Sequence, residues 1–92
     1  MSVHPPSSFN IIRLPEVLTK TGISRACLYK QIQHGLFPSQ ISLGYRSVGW
    51  LEREIDAVLK ARVAGYTNEQ IKALVSEMLD ARKLSTEVSH DS

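Results

Sequence analysis

The sequence predicts a mainly α fold with a small β-hairpin, and three observations carry that reading. Two short runs of helical periodicity, from Leu14 and from Arg25, are separated by Gly22-Ile23-Ser24. Between Ile41 and Trp50 the apolar residues switch to alternation around Gly44-Tyr45-Arg46. From Ile71 to Leu79 they return to a spacing of three and four. Two helices joined by a tight glycine-containing turn form a helix-turn-helix, and a hairpin directly after it is a wing. The last run adds a C-terminal amphipathic helix.

In the first helix, Pro15 sits in the opening turn, where a missing N–H costs nothing, and Glu16 complements the positive end of the helix dipole. Leu14, Val17 and Leu18 form its buried stripe. Gly22 ends it by taking a left-handed conformation, Ile23 plugs the turn, and Ser24 caps the second helix. That helix turns Leu28 and Ile32 inward and stops at Gly35, with Arg25, Ala26, Tyr29, Lys30 and Gln33 reaching outward. In the hairpin, Ile41, Leu43, Val48 and Trp50 are the apolar set, and Trp50 is assigned to the core.

A third helix is expected from about Leu51 to Ala64, with Glu52 and Glu54 in its first turn and Ile55, Val58, Leu59 and Val63 along its apolar side. After Gly65-Tyr66, the run Thr67-Asn68-Glu69-Gln70 has the form of a capping box. Ile71, Leu74, Val75, Met78 and Leu79 line the fourth helix. That stripe has two uses. It folds back to complete a core too small alone, or it serves as a surface for self-association or a partner.

A chain of this length supports one domain. The expected organisation is a flexible N-terminal arm over 1–10, the winged helix-turn-helix over 11–64, the amphipathic helix over 65–83 and a polar, disordered tail over 84–92. Neither a signal peptide nor a membrane-spanning run is read, and a single cysteine, Cys27, fits a reducing compartment, so a cytoplasmic protein is expected. His4, His34 and His90 are scattered, and Cys27 with His34 would supply only two ligands, so neither metal nor cofactor is expected. Lacking a phosphate loop or nucleophile elbow, the chain does not read as an enzyme.

Charge is unevenly divided. From Ile11 to Trp50 five bases (Arg13, Lys20, Arg25, Lys30, Arg46) stand against one acid, Glu16, whereas from Leu51 onward eight acids outnumber six bases. One half can therefore face a polyanion. The second helix of a helix-turn-helix enters the major groove, where Arg25 can grip guanine or phosphate and Gln33 can read adenine. Ser24 and Ala26 lie at its N-terminal end. Tyr29 offers a ring to a thymine methyl and a hydroxyl to phosphate, and Lys30 neutralises phosphate. The wing tip, Tyr45-Arg46-Ser47, can follow flanking phosphates or place Arg46 in the minor groove. Without a cluster of stacking aromatics, duplex DNA is favoured over RNA.

The run Arg13-Leu14-Pro15-Glu16-Val17-Leu18 is followed by Thr21-Gly22-Ile23-Ser24-Arg25, Leu28-Tyr29-Lys30 and Gly35-Leu36-Phe37-Pro38. With Leu43-Gly44-Tyr45-Arg46-Ser47-Val48-Gly49-Trp50-Leu51-Glu52, it resembles the AlpA family of prophage- and island-encoded regulators, which are related to excisionases. The resemblance covers roughly Ile11 to Leu59 and implies a MerR-like winged helix-turn-helix that binds DNA through the second helix and the wing. It further implies activation of an integrase or excision gene, or a direct architectural role in excision. Cys27 stands where the family commonly has a hydroxyl residue, and Ala26 where it commonly has a polar one.

The expected function is therefore sequence-specific binding of double-stranded DNA, at an attachment site or promoter of a prophage or genomic island. The chain would act there as an excisionase (recombination directionality factor), a regulator of the integrase and excision genes, or both. Integrase, RNA polymerase and further copies of the chain on DNA are the expected protein partners, with Glu52, Glu54 and Asp56 available to a polymerase. The rival reading is a protein-interaction module that keeps the winged fold without DNA affinity.

Overall fold

Helix breaks set the layout of the molecule. The structure, a computed structural model, describes residues 10–90; residues 1–9 of the expected arm and 91–92 of the expected tail lie outside the described residues. In order the elements are β1 (Ile11–Ile12), α1 (Leu14–Thr21), α2 (Arg25–Gln33), β2 (Ile41–Gly44), β3 (Ser47–Leu51), α3 (Glu52–Val63) and α4 (Asn68–His90). The fold is mainly helical with a three-stranded antiparallel sheet in the order β1-β3-β2, an arrangement compatible with a winged helix-turn-helix.

Gly22 ends α1 at φ 74°, donating its N–H to the Leu18 carbonyl at 2.8 Å. Ser24 then caps α2, its hydroxyl accepting the Cys27 N–H at 3.2 Å. Ile23, between them, packs on the core. These three residues do in space what the sequence expects of them, and for the same local reasons.

The sheet is larger than the expected hairpin. β1 pairs with β3, setting Ile11 opposite Leu51 and Ile12 opposite Trp50. A strand of two residues is too short to show a period, which is why the sequence hides it. Asn10, placed in the arm by the sequence, is tied down as well. Its carbonyl accepts the Glu52 N–H at 2.9 Å, and its side-chain amide donates to the Glu52 carboxylate.

Gly49 makes the central strand possible. A Cβ at this position would lie 2.6 Å from Ile11 Cγ2 and 3.1 Å from both the Ile12 carbonyl oxygen and Leu43 Cδ1. The Ile12 oxygen is backbone and cannot step aside. Gly49→Ala is therefore expected to cost about 1–3 kcal/mol through overpacking. Urea denaturation followed by circular dichroism measures it, and an unchanged midpoint would show that β1 yields freely.

Every element except β2 contributes to one core, with Val17, Leu28, Trp50, Ile55, Val58, Ile71 and Val75 among its fully or almost fully buried members. α4 folds back on α3: Ile71 and Val75 are buried, and Leu74, Met78 and Leu79 pack partly buried against the core. Its start is the anticipated capping box, with Thr67 N–H donating to Gln70 Oε1 at 2.9 Å and Gln70 N–H to Thr67 Oγ1 at 3.2 Å. Of the two uses open to the apolar stripe, intramolecular packing is the one realised.

Three expectations need correction. Val63 is 89% exposed rather than part of the apolar side of α3. It lies five residues past Val58, a rotation of about 140° away from the core-facing line. Glu54 is only 5% exposed. It sits on that line, four residues before Val58 and seven before Ala61, both buried. Finally, α4 continues beyond Lys83 to His90, where the tail was expected, because no glycine or proline after Asn68 stops it. Among the described residues no helix is long and apolar enough to cross a membrane.

Glu54 is buried because Arg82 meets it. Arg82 Nε donates to Glu54 Oε2 at 3.0 Å and Nη2 to Oε1 at 2.6 Å, while Nη2 also donates to the Ser39 carbonyl at 2.9 Å. One guanidinium thus ties α3, α4 and the segment leading into β2 together. Charge-assisted, two-point pairing of this kind is the arrangement in which a buried carboxylate is tolerated.

Candidate nucleic-acid interface

The outward face of α2 repeats at helical spacing. Ala26, Tyr29, Lys30 and Gln33, with Cys27 beside them, line a shallow depression of about 510 Å³. Arg25, Ala26, Lys30 and Gln33 are exposed. Tyr29 is drawn half inward, its ring 6.5 Å from that of buried Trp50 at an interplanar angle of 59°. The packing fixes the ring and ties α2 to β3. Ser24 is exposed, but its oxygen is engaged as the helix cap, leaving the hydroxyl proton as its free function.

The tip of the β2–β3 hairpin holds the other predicted residues. Tyr45 is 86% exposed, and the Arg46 guanidinium carbon lies 5.2 Å from the centre of its ring. Arg46 has φ 58°, the left-handed region that non-glycine residues rarely take. Ser47, half-buried, is already in β3 and pairs with Gly44.

Cations in this half of the chain divide into two groups. Arg13 donates from Nε to the Val48 carbonyl at 2.9 Å. Lys20 is clamped between Glu52 and Asp56, 3.0 Å from each. Its hydrogen bond to Glu52, then that to Asp56, holds the ammonium above its ordinary pKa. Arg13 forms no ion pair, but its guanidinium is held by the Val48 carbonyl; the side chains of Arg25, Lys30 and Arg46 make neither an ion pair nor a hydrogen bond among the described residues. These three cations, whose side chains have no ion-pair or hydrogen-bond partner of their own there, lie on α2 and the tip of the β2–β3 hairpin, where a polyanion can meet them.

The acids at the start of α3 are engaged as well. Of the three acids at the start of α3 that were available to a polymerase, Glu54 is buried against Arg82, and Glu52 and Asp56 are occupied by Lys20. Sequence reasoning missed both networks. Glu54 had a signal in its spacing to Val58 and Ala61; the Lys20 clamp joins residues more than thirty positions apart and had none.

Comparison with known proteins bears on this face. The chain is 42% identical over 62 residues to the DNA-binding transcriptional activator AlpA of Escherichia coli (strain K12), a match covering 61% of this chain and 89% of that protein. It is 44% identical over 54 residues to the uncharacterized protein ORF88 of Enterobacteria phage P4, covering 59% of this chain and 61% of the phage protein's length. No solved structure matches the chain. The family model of the prophage CP4-57 regulatory protein (AlpA) matches residues 10–63, which hold β1 to α3 and therefore both the α2 face and the wing. With more than half its length under that model, the chain belongs to the AlpA family of prophage regulatory proteins.

Proposed function

We propose that the chain is a sequence-specific double-stranded DNA-binding regulator of a prophage or genomic island, working as a MerR-like winged helix-turn-helix. α2 enters the major groove and the wing follows the flanking backbone. The observation that carries this reading is the set of cations on α2 and the wing tip, Arg25, Lys30 and Arg46, whose side chains have no ion-pair or hydrogen-bond partner among the described residues. They stand in a half of the chain where Lys20 is clamped by two carboxylates and Arg13 is held by a backbone carbonyl. A relative described as a DNA-binding transcriptional activator supports it.

In this reading Arg25 takes guanine or phosphate, Lys30 takes phosphate, and Gln33 reads adenine. Ala26 and Tyr29 supply apolar contact, and the Ser24 hydroxyl donates to backbone phosphate. Tyr45, Arg46 and Ser47 engage the flanking backbone or minor groove. Downstream, the protein acts in the cytoplasm, associated with the nucleoid, as an activator of integrase or excision genes, an excisionase, or both. Integrase, RNA polymerase and neighbouring copies on DNA are its partners there.

Gel shifts and bending assays on attachment-site DNA and on the promoter of a neighbouring integrase gene test the proposal. Affinity should fall with salt by roughly 0.9 log units per log unit for each phosphate neutralised. A flat salt response, or no binding to any duplex, would favour a protein-interaction module instead. Binding to the promoter alone, with no bend and no effect on excision, would remove the excisionase role. Arg25→Ala is expected to weaken specific binding by about 1–3 kcal/mol and relax preference at one base pair. Unchanged affinity and preference would show that α2 is not the reading helix.

A further inference from the structure

The depression on α2 is chemically lopsided. Its lining residues Ala26, Tyr29, Lys30 and Gln33 follow the i, i+3, i+4, i+7 spacing of one helix face. Lys30 and Gln33 carry their polar groups at the ends of flexible stems. The Cys27 sulfur, half-buried, is already occupied by Gln31, whose Nε2 lies 3.7 Å away. What remains is the Ala26 methyl, the Tyr29 ring and the methylenes of two long side chains. The Tyr29 ring is held from behind by Trp50, so that wall is preset rather than adaptable.

An apolar surface between two unpaired cations has a natural complement in duplex DNA. Arg25 and Lys30 address phosphate or guanine. The one apolar group on the floor of the major groove is the methyl at C5 of a pyrimidine, on thymine or on a methylated cytosine. We infer that the Ala26–Tyr29 depression reads a pyrimidine C5 methyl, an inference that rests on the proposed docking of α2 in the major groove. Ala26 is suited to the role because a larger or hydrated side chain would fill the space the methyl needs, and Tyr29 because its ring packs against buried Trp50.

Burying one methyl group against such a surface changes affinity about fourfold. The test uses the full chain and the duplex it protects in footprinting of attachment-site and promoter DNA. Within that duplex each thymine is replaced singly by uracil, which removes only the methyl, and each cytosine by 5-methylcytosine, which adds one. Loss of about fourfold at a uracil position under the α2 footprint assigns the methyl to thymine. Indifference to uracil with a comparable gain at a 5-methylcytosine assigns it to modified cytosine, and supports the same site. Ala26→Ser, which leaves the folded helix signal intact, should shrink the methyl effect to less than twofold, with Ala26→Gly as a second variant.

Protected DNA indifferent to every C5 methyl overturns the inference while leaving the DNA-binding reading in place. A methyl effect undiminished in both Ala26 variants also overturns it, since the methyl is then read elsewhere. If no duplex is protected, the DNA-binding reading fails and the methyl site with it.

Discussion

Arg82→Ala is expected to destabilise the fold by about 3–5 kcal/mol, the cost of leaving a buried charge without its partner. Glu54, 5% exposed, would lose two charge-assisted hydrogen bonds at once, and the Ser39 carbonyl a third. For a domain of this size about 1 kcal/mol moves the melting temperature by roughly 4–8 °C, so the variant should be largely unfolded at temperatures where the parent is intact. Side-chain exposure of 21% at Arg82 lets some water reach the gap, which places the expectation at the lower end of the range. The informative control is the double replacement Glu54→Leu with Arg82→Met. Exchanging the whole pair for apolar residues of similar volume should recover most of the loss, because the penalty lies in the orphaned charge rather than in the absence of the bridge. Urea denaturation of the parent, the single variant and the double variant measures all three. A single variant as stable as the parent would mean that Glu54 finds water, and that α4 is not held through Arg82.

Trp50→Ala should cost about as much, roughly 3–5 kcal/mol, for a different reason. The side chain is completely buried and belongs to the single core. It stands opposite Ile12 across the β1–β3 pair, touches the Tyr29 ring, and donates its indole N–H to the Pro38 carbonyl at 3.1 Å. Removal opens a cavity and leaves the Pro38 carbonyl unpaired. Trp50→Phe separates the two contributions: it keeps most of the volume but not the N–H, and should cost about 1–3 kcal/mol. Denaturation followed by far-ultraviolet circular dichroism avoids relying on the lost indole. If Trp50→Phe proved as damaging as Trp50→Ala, the hydrogen bond rather than packing would dominate at this position. Since Tyr29 leans on this ring, Trp50→Phe should also weaken DNA binding under conditions where the protein is folded.

How much of this was legible beforehand follows the range of the interactions. Gly22, Ser24 and the Thr67/Gln70 box act on neighbours a few residues away, and each behaves as its type and position predict. The hairpin and the burial of Trp50 were likewise visible in the alternation that ends at β3. β1 was not, because two residues carry no period; only the neighbouring strand and the absence of a side chain at Gly49 show that they belong to a sheet. At the candidate interface, Arg25, Ala26, Lys30, Gln33, Tyr45 and Arg46 are exposed, as a binding role requires. Tyr29 proved half structural and Ser24 committed to its cap.

The sequence by itself determined that two short helices meet at Gly22-Ile23-Ser24, that a basic aromatic hairpin follows them, and that the basic residues gather in that half. These are matters of local conformation, side-chain period and charge count, and each is settled within a few residues along the chain. Only the tertiary structure decided which cations are spent. Lys20 and Arg82 find carboxylates 32 or more and 28 positions away, and Arg13 a backbone carbonyl 35 positions away, while Arg25, Lys30 and Arg46 are left over. It also decided that the stripe of α4 lies against α3 rather than facing a partner, and that Glu54 lies inside. The reason is physical: a charge's value to a surface depends on which opposite charge the fold brings within reach, and the order of residues along a chain does not state that distance.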